Sequence, residues 1–154
     1  MSETQQPVFS IEKIYVKDLS VEVPGAPQVF LEAEQPQLEV QLEQQNNRVA
    51  DGIYEVTLMV TLTAKAGSKT LFLVEASQAG IFQIKNVDEA NLGAVLGMLC
   101  PNVLFPYARE TVSDTVNRAG FPAVNLAPVN FEAIYQQRLA QQQKESAPNI
   151  EIAR

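Results

Sequence analysis

Few side chains here could carry out covalent or acid–base chemistry. Cys100 is the sole cysteine and the chain has no histidine. That removes the commonest general base and the commonest metal ligand together. One thiol cannot close a disulfide within a monomer or complete a Cys/His zinc site, and a lone thiol suits a reducing compartment. Cys100 ends an apolar helical pattern, and a helix C-terminus does not favour a thiolate. It reads as a buried structural thiol. Asp88 and Glu89 are adjacent carboxylates, but acids at the start of a helix are explained by the helix dipole. Gly93 and Gly97 sit inside a helical pattern with no phosphate-loop lysine, so the expectation is close packing of that helix on a neighbour. The sequence points to no catalytic residue, no metal ligand set and no cofactor.

The bulk properties narrow the class further. The chain has 154 residues, which fits one domain, and 46% of them are apolar, enough to bury a core. Eleven basic and 18 acidic side chains give 11 − 18 = −7, and nucleic-acid binding needs the opposite balance. The start, Met1-Ser2-Glu3-Thr4-Gln5-Gln6-Pro7, lacks the basic-then-apolar pattern of a secretory signal. No uncharged apolar run approaches the ~18–20 residues of a membrane helix. The expectation is a cytoplasmic protein that does not insert into membranes. Residues 1–7 read as a flexible start, 8–143 as the domain and 144–154 as a flexible tail.

The elements that must position any site change period midway. Val8 to Val16 reads as a first strand. Pro24-Gly25-Ala26-Pro27 interrupts any ladder, which makes Leu19 to Pro36 a long connection. From Gln37 to Glu43, Leu38, Val40 and Leu42 alternate with polar residues. Asn46-Asn47 reads as a turn, Ile53 to Thr63 as a third strand, Ala66-Gly67-Ser68 as a hairpin and Thr70 to Phe82 as a fourth strand. Beyond Asn86 the period becomes helical. Asp88 caps a helix that Pro101 stops, a second helix follows Pro106 and stops at Gly120, and Asn130 caps a third with Val129 and Ile134 as a staple. The fold class is α+β: a four-stranded antiparallel, Greek-key-like sheet followed by helices on one side.

Two surfaces stand out. On the fourth strand Phe72, Val74 and Ala76 share one face while Leu71, Leu73 and Glu75 share the other. Both faces are largely apolar, and three short helices cover only one, so a second copy or a transient apolar partner suits the other. Asp18 and Glu22 follow the first strand. If the first and fourth strands are neighbours, these acids and Glu75 surround Leu73 in a negative patch suited to a basic partner segment.

Several segments carry a resemblance. Tyr15-Val16-Lys17-Asp18, Pro24-Gly25-Ala26-Pro27, Ile81-Phe82, the run Cys100 to Glu110, and Phe121-Pro122 through Asn125 to Phe131 together resemble the SecB family of export chaperones, over roughly Val8 to Gln143. The resemblance implies a cytoplasmic homotetramer, a dimer of dimers, without cofactor or hydrolytic activity. Such proteins hold unfolded precursor proteins and deliver them to the SecA ATPase. It implies SecA contacts at Asp18, Glu22, Leu73 and Glu75, and inter-subunit positions at Val74, Ala76 and Gln78. A client groove between the long loop and the helices has Leu38, Val40, Leu42, Phe72, Ile81, Phe82 and Tyr135 as candidates. Where many relatives carry a tryptophan near the groove mouth, this chain has Glu34, and it has no tryptophan anywhere. The competing readings are an oligomeric adaptor for one defined peptide and a small-molecule enzyme built on a carboxylate pair.

Overall fold

Alternation becomes a sheet of long strands in the computed structural model, which describes residues 5–32 and 35–146. The strands are β1 (Val8–Glu22), β2 (Gln37–Ala50), β3 (Ile53–Ala66) and β4 (Lys69–Lys85), antiparallel throughout in the order β1-β4-β3-β2. The three C-terminal strands are joined by tight turns. Gly52 and Gly67 take the positive φ those turns require, 70° and 62°. The long loop returns β1 to the side of β4, as the Greek-key expectation had it.

Several element boundaries differ from the sequence reading. β1 runs on to Glu22, with register shifts between Ile11 and Lys13 and between Val16 and Asp18. Asn46 and Asn47 are not a turn, because β2 pairs with β3 past them as far as Ala50. Cross-strand pairing there overrides their local turn preference. Glu34, the position of the missing tryptophan, lies outside the described residues.

The helices follow as α1 (Glu89–Ala94), a π turn (Val95–Leu99) and α2 (Cys100–Arg118), one unbroken helical run. Asp88 caps it, its side chain accepting from the Asn91 N–H at 2.8 Å. Neither Pro101 nor Pro106 ends or starts a helix as expected. A proline disturbs the carbonyl four residues back, which for Pro101 belongs to Gly97. The strain is absorbed by widening: the Cys100 N–H donates to the Val95 carbonyl five residues back. Gly120, at φ 96°, ends α2 as expected. Its N–H reaches the Asn117 carbonyl at 3.1 Å and the Phe121 N–H reaches Val116 at 3.2 Å.

Helix α3 (Phe131–Ser146) begins at Asn130, whose side chain accepts from the Ala133 N–H at 3.0 Å. It continues to Ser146, past the expected start of the tail at residue 144. The remaining tail, 147–154, lies outside the described residues, as do residues 1–4 of the expected flexible start.

The core lies between the sheet and α2. Leu58, Val60, Leu62 and Val74 from the strands meet Leu104, Ala108, Val112 and Val116 from the helix, none more than 1% exposed. Burying a side chain of this kind contributes about 1.5–3 kcal/mol. The run Glu89–Arg118 is 30 residues long and apolar enough to cross a bilayer, but its apolar stripe packs on the sheet. Gly93 and Gly97 supply the close approach expected of them. A Cβ on Gly97 would lie 2.6 Å from the Tyr135 ring, so α3 seats that ring directly on the helical backbone. Cys100 is fully buried here, and burial pushes its thiol up to about 12.

Candidate functional site

The long loop builds one wall of an apolar groove. Pro24 to Pro27 cannot pair as strand, so the chain turns there, and a short 3₁₀ helix (Gln28–Leu31) follows. The Val29 N–H bonds the Gly25 carbonyl at 2.9 Å, and the Val29 side chain enters the core. Phe30 stays half-exposed and lies over Gly120, where a Cβ would come within 2.8 Å of its ring. Phe121 links the walls: its ring centroid is 5.3 Å from Phe30 and 4.8 Å from Phe72 on β4. Glu32 and Lys69 clamp the loop to the start of β4 at 2.5 Å. The groove between holds about 440 Å³ and is lined by Phe30, Leu38, Leu71, Phe72, Phe121 and Val124, among others. A second trough of about 340 Å³ runs between Val40 and Leu42 of β2, Phe105 of α2, and the extended link at Leu126 to Val129.

Some expected groove residues meet here. Leu38 and Phe72 line the first groove, and Val40 and Leu42 line the second. Three do not. Ile81 pairs with Glu55 and Lys13 on the opposite face of the sheet. Phe82 is on the helix side but fully buried, stacked on Phe9 at 5.7 Å. Tyr135 is occupied by Gly93 and Gly97. The sequence reading also missed groove residues. Leu71 was expected on the face of Leu73. Instead Ala64 pairs with Phe72 and Lys65 with Thr70, so Leu71 is the extra residue of a bulge and turns into the groove beside Phe72. Phe121, Pro122 and Val124 belong to a link whose flanking prolines signalled extended, unpaired backbone, a natural groove wall.

The expected inter-subunit positions Val74, Ala76 and Gln78 are corrected by their burial. They are 0%, 2% and 3% exposed beneath α2 of the same chain. Gln78 is fully committed there: its Nε2 donates to the Tyr15 carbonyl at 3.2 Å and its Oε1 accepts from the Thr111 hydroxyl at 2.9 Å. The unpartnered apolar surface lies elsewhere. Phe9, Ile11, Val16, Leu19 and Val21 of β1 are each 39–46% exposed.

The outer face of the sheet is largely polar around β1 and the middle of β4. Asp18 pairs with Ser77, Ser20 with Glu75 and Glu22 with Leu73. Cross-strand partners share a face, so Asp18, Glu22, Leu73 and Glu75 converge as the sequence expected. Glu39 and Glu43 extend the negative charge across β2 on the same side, opposite Thr63 and Met59. Glu55 is set apart. It accepts from the Tyr15 hydroxyl and pairs with Lys17 at 2.8 Å. Those hydrogen bonds, Lys17 first, hold its carboxyl below the usual range, while burial and then Glu55 itself push Tyr15 up to about 12. Among the described residues no group of three or more acids and cysteines is arranged to hold a metal ion.

The chain is similar to known proteins over nearly its whole length. A match to the family described as Preprotein translocase subunit SecB spans residues 2–142. The protein-export protein SecB of Chromobacterium violaceum is 63% identical over 144 residues, covering 92% of this chain and 96% of that one. That of Dechloromonas aromatica is 61% identical over 142 residues, covering 92% and 93%. Among solved structures, the SecB-like chaperone of Mycobacterium tuberculosis in complex with a ChAD peptide from the HigA1 antitoxin shares the fold. Its TM-score is 0.66 at 20% identity, over 79% of this chain and 90% of that one.

Proposed function

Because the chain belongs to the SecB family, whose members are protein-export chaperones and not enzymes, we propose that it holds unfolded precursor proteins in the cytoplasm and delivers them to the SecA ATPase. The observation that carries this reading is the division of the sheet: open apolar grooves on the helix side, an acidic patch on the other. An unfolded precursor exposes apolar segments, and their burial in the grooves contributes about 25 cal/mol per Å². Ordering a flexible chain opposes that gain, so one short contact binds weakly.

Assembly offsets the weakness. The exposed apolar row on β1 supports a homotetramer built as a dimer of dimers, and four linked sets of grooves raise affinity by about 10²–10⁴ without a new kind of contact. On the outer face Asp18, Glu22, Leu73 and Glu75 receive a basic segment of SecA. The chain needs no nucleotide for capture, and release follows from competition by SecA. Size-exclusion with light scattering tests the reading, with and without a chemically unfolded precursor and in the absence of nucleotide. The expected result is a mass of four chains that rises with precursor. A tetramer indifferent to unrelated unfolded chains would instead make the protein an adaptor for one defined peptide.

A further inference from the structure

Strict alternation fails in β1 beside the acidic patch. Val16 pairs with Gln78 and Asp18 with Ser77, so Lys17 is the extra residue of a bulge. Gln78 lies beneath α2, which puts Val16 on the helix side, while Asp18 is on the outer face. Lys17 is on the outer face as well, because its Nζ reaches Glu55, the cross-strand partner of Ile81. Two consecutive residues of opposite charge therefore share one face. Left to itself, the Lys17 ammonium would sit among Asp18 and its neighbours. It would cancel part of the charge that a basic partner segment needs.

Glu55 draws it away. That carboxylate is on β3, two strands from β1, so Lys17 crosses β4 to meet it at 2.8 Å. Tyr15 crosses the same strand, its hydroxyl donating to the other carboxylate oxygen. Ala79 lies between, paired with Tyr15 on one side and Thr57 on the other. Ala79 is 0% exposed and Thr57 5%, although the helices pack on the other side of the sheet. The small side chain at 79 leaves room for the two that bridge over it. The Glu55 side chain is itself only 15% exposed, and its hydrogen bonds, that from Lys17 first, hold its carboxyl below the usual range. Four residues of β3, about 13 Å, separate Glu55 from Met59, whose row holds Asp18 and Glu43. The other lysine of β1, Lys13, pairs with Ile81 in the row of Glu55, farther from the acids.

Resting on the reading of that patch as the SecA contact, we propose that Glu55 is a positioning residue for docking: it holds the Lys17 ammonium away from Asp18, so that Asp18, Glu22 and Glu75 meet a basic segment with their charge intact. Glu55 acts through Lys17 and touches no partner itself. Tyr15 serves the same end by fixing the carboxylate from its other oxygen.

The test is titration calorimetry of SecA with the full chain and its variants at low ionic strength. Glu55→Gln frees Lys17 and should weaken binding by about threefold to tenfold. Adding Lys17→Gln removes the freed charge and should bring the affinity back to within about twofold of the parent. A role in stability alone would not be repaired that way, because the double variant lacks the ion pair too. Asp51→Asn is the control. It frees Arg48 from a comparable pair at 2.9 Å, at the turn between β2 and β3, and changes net charge equally. Its affinity should stay within about twofold of the parent. Lys17→Gln alone does not depend on a Glu55 variant that folds, and it should bind as tightly as the parent or up to about twofold more tightly. An unchanged affinity in Glu55→Gln, a loss that persists in the double variant, an equal loss in Asp51→Asn, or a loss in Lys17→Gln alone would overturn positioning by Glu55 and leave the patch standing. Failure of the parent to bind SecA would take down both.

Discussion

The two faces of the sheet are made from the same strands yet do opposite things. On the helix side, Leu58, Leu62 and Val74 are fully buried against Leu104 and Val112, and the remaining apolar surface lines the grooves and the exposed row on β1. On the outer side, Thr61, Thr63, Ser77 and the acids share one surface, with only Leu73 and Met59 as large apolar residues near the patch. One face carries the core and, in the proposed function, apolar capture; the other carries charge. Alternation with period two lets a single set of strands serve both, because outside the bulges neighbouring residues point to opposite faces. A substitution should therefore disturb one property and spare the other.

The largest effect is expected in the core. Leu104→Ala empties space beside β3 and β4 and should cost about 2–5 kcal/mol in denaturant unfolding. Thr61→Ala, across the same sheet, should change stability by less than about 0.5 kcal/mol. A comparable loss from Thr61→Ala would break the division of labour. Next is charge reversal on the outer face. Asp18→Lys, Glu22→Lys and Glu75→Lys together should weaken SecA binding by about tenfold or more while leaving capture of an unfolded precursor within about twofold. Titration calorimetry with each partner reads both numbers.

A smaller effect is expected at the groove. Leu38→Ser removes exposed apolar wall and should weaken precursor binding about threefold to tenfold, with little change in unfolding free energy, since Leu38 is already half in solvent. The smallest is at Glu55, whose folded-state pKa is lowered by Lys17 and Tyr15. A lowered carboxyl stabilises the fold above its unfolded pKa, and that stability is lost as pH falls through the folded value. Glu55→Gln should cost on the order of 1 kcal/mol at pH 7. The gap from the parent should close on acidification below the ordinary carboxylate range, as followed by denaturation at a series of pH values.

Strand identity, sheet order and the acidic patch were legible because they depend on local alternation and on one neighbour relation. The alternation of Leu38, Val40 and Leu42 named their shared face, and the placement of β1 beside β4 brought Asp18 and Glu22 to Glu75. What alternation cannot say is which face the helices cover. The inter-subunit role of Val74, Ala76 and Gln78 and the groove role of Ile81 came from the family resemblance instead, and the fold sets the first three beneath α2 of the same chain and Ile81 on the outer side. A single extra residue also defeats parity: the bulge at Leu71 moves it to the other face. The prolines misled for a related reason. Pro101 and Pro106 disfavour a helix locally, but a π turn and packing on the sheet keep the helix continuous through them.

The claim that capture and delivery use separate surfaces is tested most directly by a salt titration of both affinities on one preparation. Charges on an exposed face are screened as ionic strength rises, while apolar burial is not. Between about 50 mM and 500 mM salt, SecA docking should weaken by about tenfold or more and precursor binding by less than about threefold. A parallel loss of both affinities would contradict the account.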